Sequence, residues 1–270
     1  CGACVNQCPV DIEHIDHFVD MRRHQVMIAS EFPSELNSLF KNIENKGNPW
    51  GMNASKRNDW ISEVDFEVPV FGMEGEDEIP DDVEYLFWVG CAGAYEDRAK
   101  ATTKAVAELL NAAGVKYLVL GDGETCTGDP ARRAGNEYLF YTMAATNIEM
   151  FDGYEINKKK IITTCPHCFN TLKNEYPQFG GDFLVQHFTE YLAEISYEGL
   201  PAESNGQQLT FHDSCYLGRY NQVYDQPRQL LSKTKLNWIE MNRANENSFC
   251  CGGGGGQMWM ETDANTRINH

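Results

Sequence analysis

Apolar positions recur at helical spacing in the first part of the chain and gather into short runs further on. Ile12, Ile15, Phe18, Val19 and Met21 predict a helix within residues 10–27, carrying His14, His17 and His24. "EFPSELNSLFKNIENKGNPWGM" predicts a second helix closed by a Gly-Asn-Pro turn. After residue 84 the pattern changes. "EYLFWVG", "VKYLVLG" and "KKIITTC" read as short buried strands. Between them "DRAKATTKAVAELLNAAG" predicts a helix with Val106, Leu109, Leu110 and Ala113 on one stripe and Gly114 as its stop. Residues 133–151 read as one further helix. Strands alternating with helices predict an α/β unit with an open parallel sheet. Cys91, Cys126 and Cys165 each follow a strand, where such sheets place their ligands, so three loops can converge on one metal site.

The pattern then repeats. Cys91 and Cys126 are separated by 34 residues, and so are Cys215 and Cys250. An offset of 124 positions maps Phe87 to Phe211, Cys91 to Cys215, Cys126 to Cys250, Thr127 to Cys251 and Gly128 to Gly252. "QLTFHD" and "KLNWIEM" echo the strands of the first copy. The first copy continues to Cys165 and Cys168, whose counterparts fall past residue 270, so the second copy reads as truncated. "FGMEGEDEIPDDVEY", residues 71–85, is acidic and aperiodic and is read as a linker. The expected division is 1–70, the linker 71–85, a first repeat 86–204 and a second, incomplete repeat 205–270.

Composition narrows the chemistry. A chain of 270 residues, 42% hydrophobic and 11% aromatic, can bury a real core without disulfides, so its ten cysteines need another use. A net charge of −18 excludes nucleic acid as a natural partner. Gly252–Gly256 is not followed by Lys-Ser or Lys-Thr and lacks the spacing of a dinucleotide fingerprint, so no nucleotide site is assigned. "CGACVNQCPV" has the spacing of the last three cysteines and the proline of the bacterial ferredoxin run. Its first cysteine would lie upstream of residue 1, and the chain reads as a piece of something longer. In two-cluster ferredoxins the last cysteine of the run, here Cys8, serves the other cluster. A zinc knuckle is the alternative for Cys1, Cys4 and Cys8. His14 and His17, one turn apart, read as a conceivable metal pair or as surface histidines.

Cys91-x34-Cys126 and Cys215-x34-Cys250-Cys251-Gly252, with the later Cys165-Pro-His-Cys168, resemble the cysteine-rich CCG domain, which occurs in tandem in heterodisulfide reductase subunits and in iron–sulfur subunits that oxidise glycerol 3-phosphate, lactate or glycolate. "NIENKGNPWGM", "LFWVGCAGAYEDRA", "TCTGDPARR" and "SFCCGGGGGQMWM" are most similar to a narrower branch that passes electrons between electron-transfer flavoprotein and menaquinone. The resemblance implies an α/β fold: the helical remnant of a two-cluster ferredoxin domain, then two tandem α/β CCG repeats, the second truncated. It implies Cys1, Cys4, Cys8, Cys215, Cys250 and Cys251 as ligands of 4Fe-4S clusters, cubane or noncubane at the CCG sites. At the first CCG site Thr127 replaces the second cysteine, leaving Cys91, Cys126, Cys165 and Cys168 for an iron–sulfur cluster or a zinc ion. Thr127, Gly128, His167, His212, Gly252 and Gly253 are expected around the clusters, with Arg132 and Arg133 as counter-charges or merely the start of a helix. His212 and Asp213 would assist proton-coupled reduction or form an ordinary polar loop. The implied function is an iron–sulfur electron-transfer oxidoreductase subunit working between a flavoprotein and a membrane quinone. It would lie on the cytoplasmic face of the membrane, or be fused to a membrane part, with flavin and haem on partners or missing parts. A disulfide reductase of heterodisulfide reductase type, and a zinc-stabilised interaction module, are the alternatives.

Overall fold

A computed structural model describes residues 1–72, 78–195, 206, 208–234 and 236–268. Three helices come first: α1 (Ala3–Asn6), α2 (Ile15–Arg23), which runs into a π-helical turn over His24–Ala29, and α3 (Glu35–Lys46). A 3₁₀ helix over Ala54–Glu63 follows. The first α/β unit then runs β1 (Tyr85–Trp88), α4 (Gly90–Tyr95), α5 (Asp97–Ala112), β2 (Tyr117–Leu118), α6 (Asp129–Ala134), α7 (Glu137–Gly153), β3 (Lys160–Thr163), α8 (Pro166–Asn170), β4 (Leu184–His187) and α9 (Phe188–Glu194). The second unit comprises β5 (Gln208–Thr210), α10 (Asp225–Lys233) and β6 (Asn237–Ile239).

The first sheet is wholly parallel, in the order β2-β1-β3-β4. All four residues of β1 are buried, as expected of a strand covered on both faces. Alternation divides them. Leu86 and Trp88 join one core with Ile161, Phe151 and the buried stripe Leu36, Leu39, Phe40 and Ile43 of α3. Tyr85 and Phe87 join the other with Ile162, Val106, Leu110 and Trp60. The chain steps from β1 to β2 on one side and to β3 on the other. The order therefore reverses at β1 and β3, and a crevice opens at their carboxyl ends. β5 and β6 form a separate parallel pair.

Several expectations are corrected. His14 precedes α2 as its N-cap, its Nδ1 2.9 Å from the Ile12 carbonyl and its ring edge-on to Phe18, while His17 is exposed, as the surface-histidine reading expects. No residue of α2 is buried, and Ile12, Phe18 and Met21 stay exposed. On α5 the buried stripe is Thr103, Val106, Ala107 and Leu110, while Ala113 is exposed beyond the last turn. Thr103 belongs there because its hydroxyl donates to the Gly93 carbonyl at 3.1 Å, which lets α4 pack closely. The single helix expected over 133–151 is two, broken at Gly135. That residue has φ +100°, and an added Cβ would lie 2.6 Å from the Arg22 carbonyl oxygen. β4 and α9 were not foreseen. Of the expected linker, 73–77 lie outside the described residues; just before them Val119 bridges to the chain around Val70, its N–H donating to the Pro69 carbonyl and its carbonyl accepting from the Phe71 N–H, both at 2.9 Å.

Two outcomes test this packing. Leu110→Ala should cost about 2–5 kcal/mol in urea unfolding, and Leu109→Ala less than about 1 kcal/mol; equal losses would mean that α5 faces the sheet differently. His187 is buried, and burial holds it neutral, at about 4 against an ordinary value of 6.5. Its Nδ1 caps α9 by facing the Thr189 hydroxyl at 2.7 Å and its Nε2 faces the Thr164 carbonyl at 3.1 Å, so the neutral ring with hydrogen on Nε2 fits both. The unfolded chain therefore binds a proton that the folded chain refuses between these values. Its contribution to stability is full above pH 6.5 and lost as the pH falls toward 4. His187→Asn retains a cap and should flatten that part of the pH–stability curve; an unchanged slope would contradict the assignment.

Candidate metal centre

The crevice at the ends of β1 and β3 is where the thiols meet. Gly90, at φ +75°, turns the chain out of β1 and puts Cys91 at the start of α4. Cys126 lies in the loop after β2, its N–H donating to the Gly47 carbonyl at 2.8 Å and its carbonyl accepting from Asn147 Nδ2 at 2.9 Å. Cys165 is the N-cap of α8 and Cys168 lies within it. Together the four line a cavity of about 110 Å³, roofed by Trp50, Met258 and Trp259 and walled by Gly253–Gly256. Trp50 and Trp259 meet edge-to-face at 5.1 Å.

Within the cavity the thiols act on one another's protonation in two pairs, Cys91 with Cys126 and Cys165 with Cys168. One member of each pair is held toward the thiolate. For Cys91 the hydrogen bond from Cys126 lowers its value against burial, and Arg57 adds to the effect. For Cys165 the bond from Cys168, against burial and with help from His167, brings it to about 6. Cys126 and Cys168 are pushed up by the same hydrogen bonds and by burial. Four cysteines around one cavity are a donor set used both by iron–sulfur clusters and by zinc.

The surroundings were only partly foreseen. Thr127 is buried, and its hydroxyl points to Cys168 Sγ at 3.9 Å. Gly128, at φ +85°, directs its N–H to Cys126 Sγ at 3.4 Å. His167 is tied through Nδ1 to Asp129 at 2.9 Å. Burial opposes its charge, but the Asp129 carboxylate overrides this and raises it to about 9. Asp129 itself is held at about 2: burial works against it, and His167 and Arg133 outweigh burial. Arg133 lines the cavity, whereas Arg132 turns to Glu175, Gln178 and the face of Phe140. Arg57, Glu124, Asp129, Trp50 and Trp259 went unmarked in the sequence. Glu124 lies two residues before Cys126, the one local hint available.

On the far side of the glycine run, Cys1, Cys4 and Cys250 open on a second cavity of about 400 Å³, which Arg22, Arg133 and Arg267 also line. Cys251 faces an adjoining space of about 210 Å³ with Met258, Met260 and Arg267. Cys215 is close enough to Cys250 and Cys251 to feel their charge, though burial is what chiefly raises its value. Cys8 accepts from the Ile12 N–H at 3.4 Å. Gly252 N and Gly253 N donate to Cys250 and Cys251 Sγ at 3.3 and 3.4 Å. The turn at Cys126–Gly128 thus recurs at Cys250–Gly252, 124 positions later. His212 is exposed, and Asp213 beside it is buried and engaged by Arg228 and the Asn245 N–H. Gly254 and Gly255 line both of these cavities.

The same two stretches match a known family: residues 85–173 and 209–270 fit the model of the cysteine-rich domain, CCG. The chain belongs to the CCG cysteine-rich domain family. It is similar to the EtfAB:quinone oxidoreductase of Syntrophomonas wolfei subsp. wolfei, 46% identical over 268 residues that cover 98% of this chain and 37% of that one. It is similar to the probable iron-sulfur-binding oxidoreductase FadF of Bacillus subtilis, 44% identical over 274 residues, 100% of this chain and 38% of that one. A more distant relative, one of the polypeptides of the dihydromethanophenazine:CoB–CoM heterodisulfide reductase of Methanosarcina mazei, is 29% identical over 265 residues, 95% of this chain and 61% of that one. The CCG chain spans well under half the length of the first two relatives. No solved structure matches it.

The CCG turn yields a paired prediction. Gly128→Ala forces a left-handed residue, costing about 1–2 kcal/mol, and drives a Cβ to 2.8 Å from Phe140 Cδ2. Gly254→Ala meets nothing within 4 Å. Thermal unfolding should separate a clearly destabilised first variant from a near-neutral second; equal midpoints would contradict the geometry.

Proposed function

We propose that this chain carries electrons one at a time between a flavoprotein of the electron-transfer flavoprotein type and a membrane quinone. The observation that carries the reading is two thiol-lined cavities sharing one glycine wall. Relatives named as a quinone oxidoreductase and as iron-sulfur-binding support it. Cys91, Cys126, Cys165 and Cys168 would hold one iron–sulfur cluster. Cys1, Cys4 and Cys8 would serve ferredoxin-type 4Fe-4S clusters, and Cys215, Cys250 and Cys251 the second CCG site. Clusters bound there supply one-electron chemistry without a catalytic side chain. The protein's own part is to hold sulfurs in place, exclude water and balance charge. Trp50, Met258 and Trp259 line the first cavity and would limit the entry of water. Gly128, Gly252 and Gly253 give backbone N–H groups to sulfur, which favours the more negative redox state. Among the described residues no helix is long and apolar enough to cross a membrane. Contact with the quinone is therefore assigned to a membrane part or partner at the cytoplasmic face.

Iron, acid-labile sulfide and zinc analysis of the anaerobically purified full-length protein tests this. Iron and sulfide should be present in several cluster equivalents with little zinc, and Cys126→Ser should remove about one cluster's worth of iron. Zinc in place of iron would overturn the reading.

A further inference from the structure

Among the described residues the most deeply buried ion pair lies against the first site, and one of its members, Arg57, comes from outside the matched domain. Arg57, on the 3₁₀ helix Ala54–Glu63, is 3% exposed, and Glu124 is 2% exposed. Arg57 Nη1 donates to Glu124 Oε1 at 2.8 Å, and its Nη2 donates to Cys91 Sγ at 3.1 Å. The guanidinium also lies 5.2 Å from the centre of the Tyr95 ring. Glu124 is fixed from behind by the Val89 and Gly90 N–H groups, at 3.0 and 2.7 Å.

A buried ion pair is a poor stability device, because desolvation consumes most of its Coulombic gain. This one has a directional consequence instead. The carboxylate is held by backbone amides, while the cation points at a ligand sulfur. Among the described residues no arginine donates to Cys215, Cys250 or Cys251 in this way, and 124 positions after Glu124 stands Ser248, whose hydroxyl donates to the Asp213 carbonyl at 3.0 Å.

We propose that Arg57 is a positioning residue that raises the reduction potential of the group bound at Cys91, Cys126, Cys165 and Cys168, with Glu124 aiming it and partly offsetting its charge. The inference rests on the iron–sulfur reading of that cavity. One-electron reduction places added negative charge partly on the ligand sulfurs, and a fixed cation donating to one of them stabilises the reduced state. The electron comes from the flavoprotein donor, or from dithionite in the test. The first repeat thus borrows its charge environment from a segment that precedes it, and its potential is set apart from that of the second.

The test is a paramagnetic-resonance redox titration of the holoprotein, with Cys91→Ser used to assign the signal of this site. Arg57→Gln should lower the equilibrium constant for its reduction at least tenfold, about 59 mV for one electron. Arg57→Lys, which keeps the charge but not the fork, should fall between. Glu124→Gln removes the opposing charge and should shift the potential upward. Opposite shifts from two members of one pair are not expected of a structural role. If Arg57→Gln does not fold, Arg57→Lys and Glu124→Gln still decide the matter by their opposite signs. Potentials within threefold of the parent's equilibrium, or shifts in the same direction, overturn the inference. A signal set that Cys91→Ser leaves wholly unchanged would instead overturn the reading of the cavity itself.

Discussion

Four cysteines must line one crevice from the ends of strands that are held about 4.8 Å apart by their hydrogen bonds, and much of the structure follows from that demand. No single loop can supply them. The sheet order β2-β1-β3-β4 answers by reversing direction between β1 and β3, so that Cys91 and the Cys165–Cys168 pair leave from adjacent strands into one crevice, and Cys126 arrives from the β2 side. Each entry is secured by a backbone device rather than by bulk: Gly90 at φ +75°, the Gly47 carbonyl for Cys126, and the N-cap position for Cys165.

A crevice lined by thiols is also a defect in the core, and the rest of the chain closes it. Trp50 arrives from the segment before the sheet, and Met258 and Trp259 from the second repeat. Close packing marks one position of the glycine run: a Cβ on Gly255, at φ +66°, would lie 2.6 Å from Arg22 Nη1, whereas one on Gly254 would meet nothing within 4 Å. The run is therefore neither a flexible linker nor a phosphate loop. Gly254 and Gly255 line the cavity on either side of it. The first site is accordingly a product of three stretches of chain, only one of which is the first cysteine-rich repeat.

How far this was legible in the sequence depended on whether the information was local. The alternation of apolar runs with helical stretches gave the parallel sheet, and the equal spacing of Cys91–Cys126 and Cys215–Cys250 anticipated the matching turns at Gly128 and Gly252. Where local pattern misled, the cause is identifiable. Ala113 kept the period of α5 but lies past its last turn, while the buried Thr103 hid its place in the stripe behind a hydroxyl that the Gly93 carbonyl satisfies. Leu184–His187 has exposed Leu184 and half-buried Gln186 among its four residues, so β4 showed no apolar run. Arg57 and Glu124, 67 positions apart, meet only because the 3₁₀ helix folds onto the sheet. Nothing in either neighbourhood announces the other.

The central claim is that the two cavities divided by the glycine wall hold redox groups close enough to exchange electrons. The most direct measurement is the paramagnetic-resonance spectrum of the fully reduced full-length protein, compared with that of Cys126→Ser. Splitting or broadening from magnetic interaction between centres, lost in the variant, is the predicted result. Sharp signals from isolated centres, the same in both proteins, would contradict it.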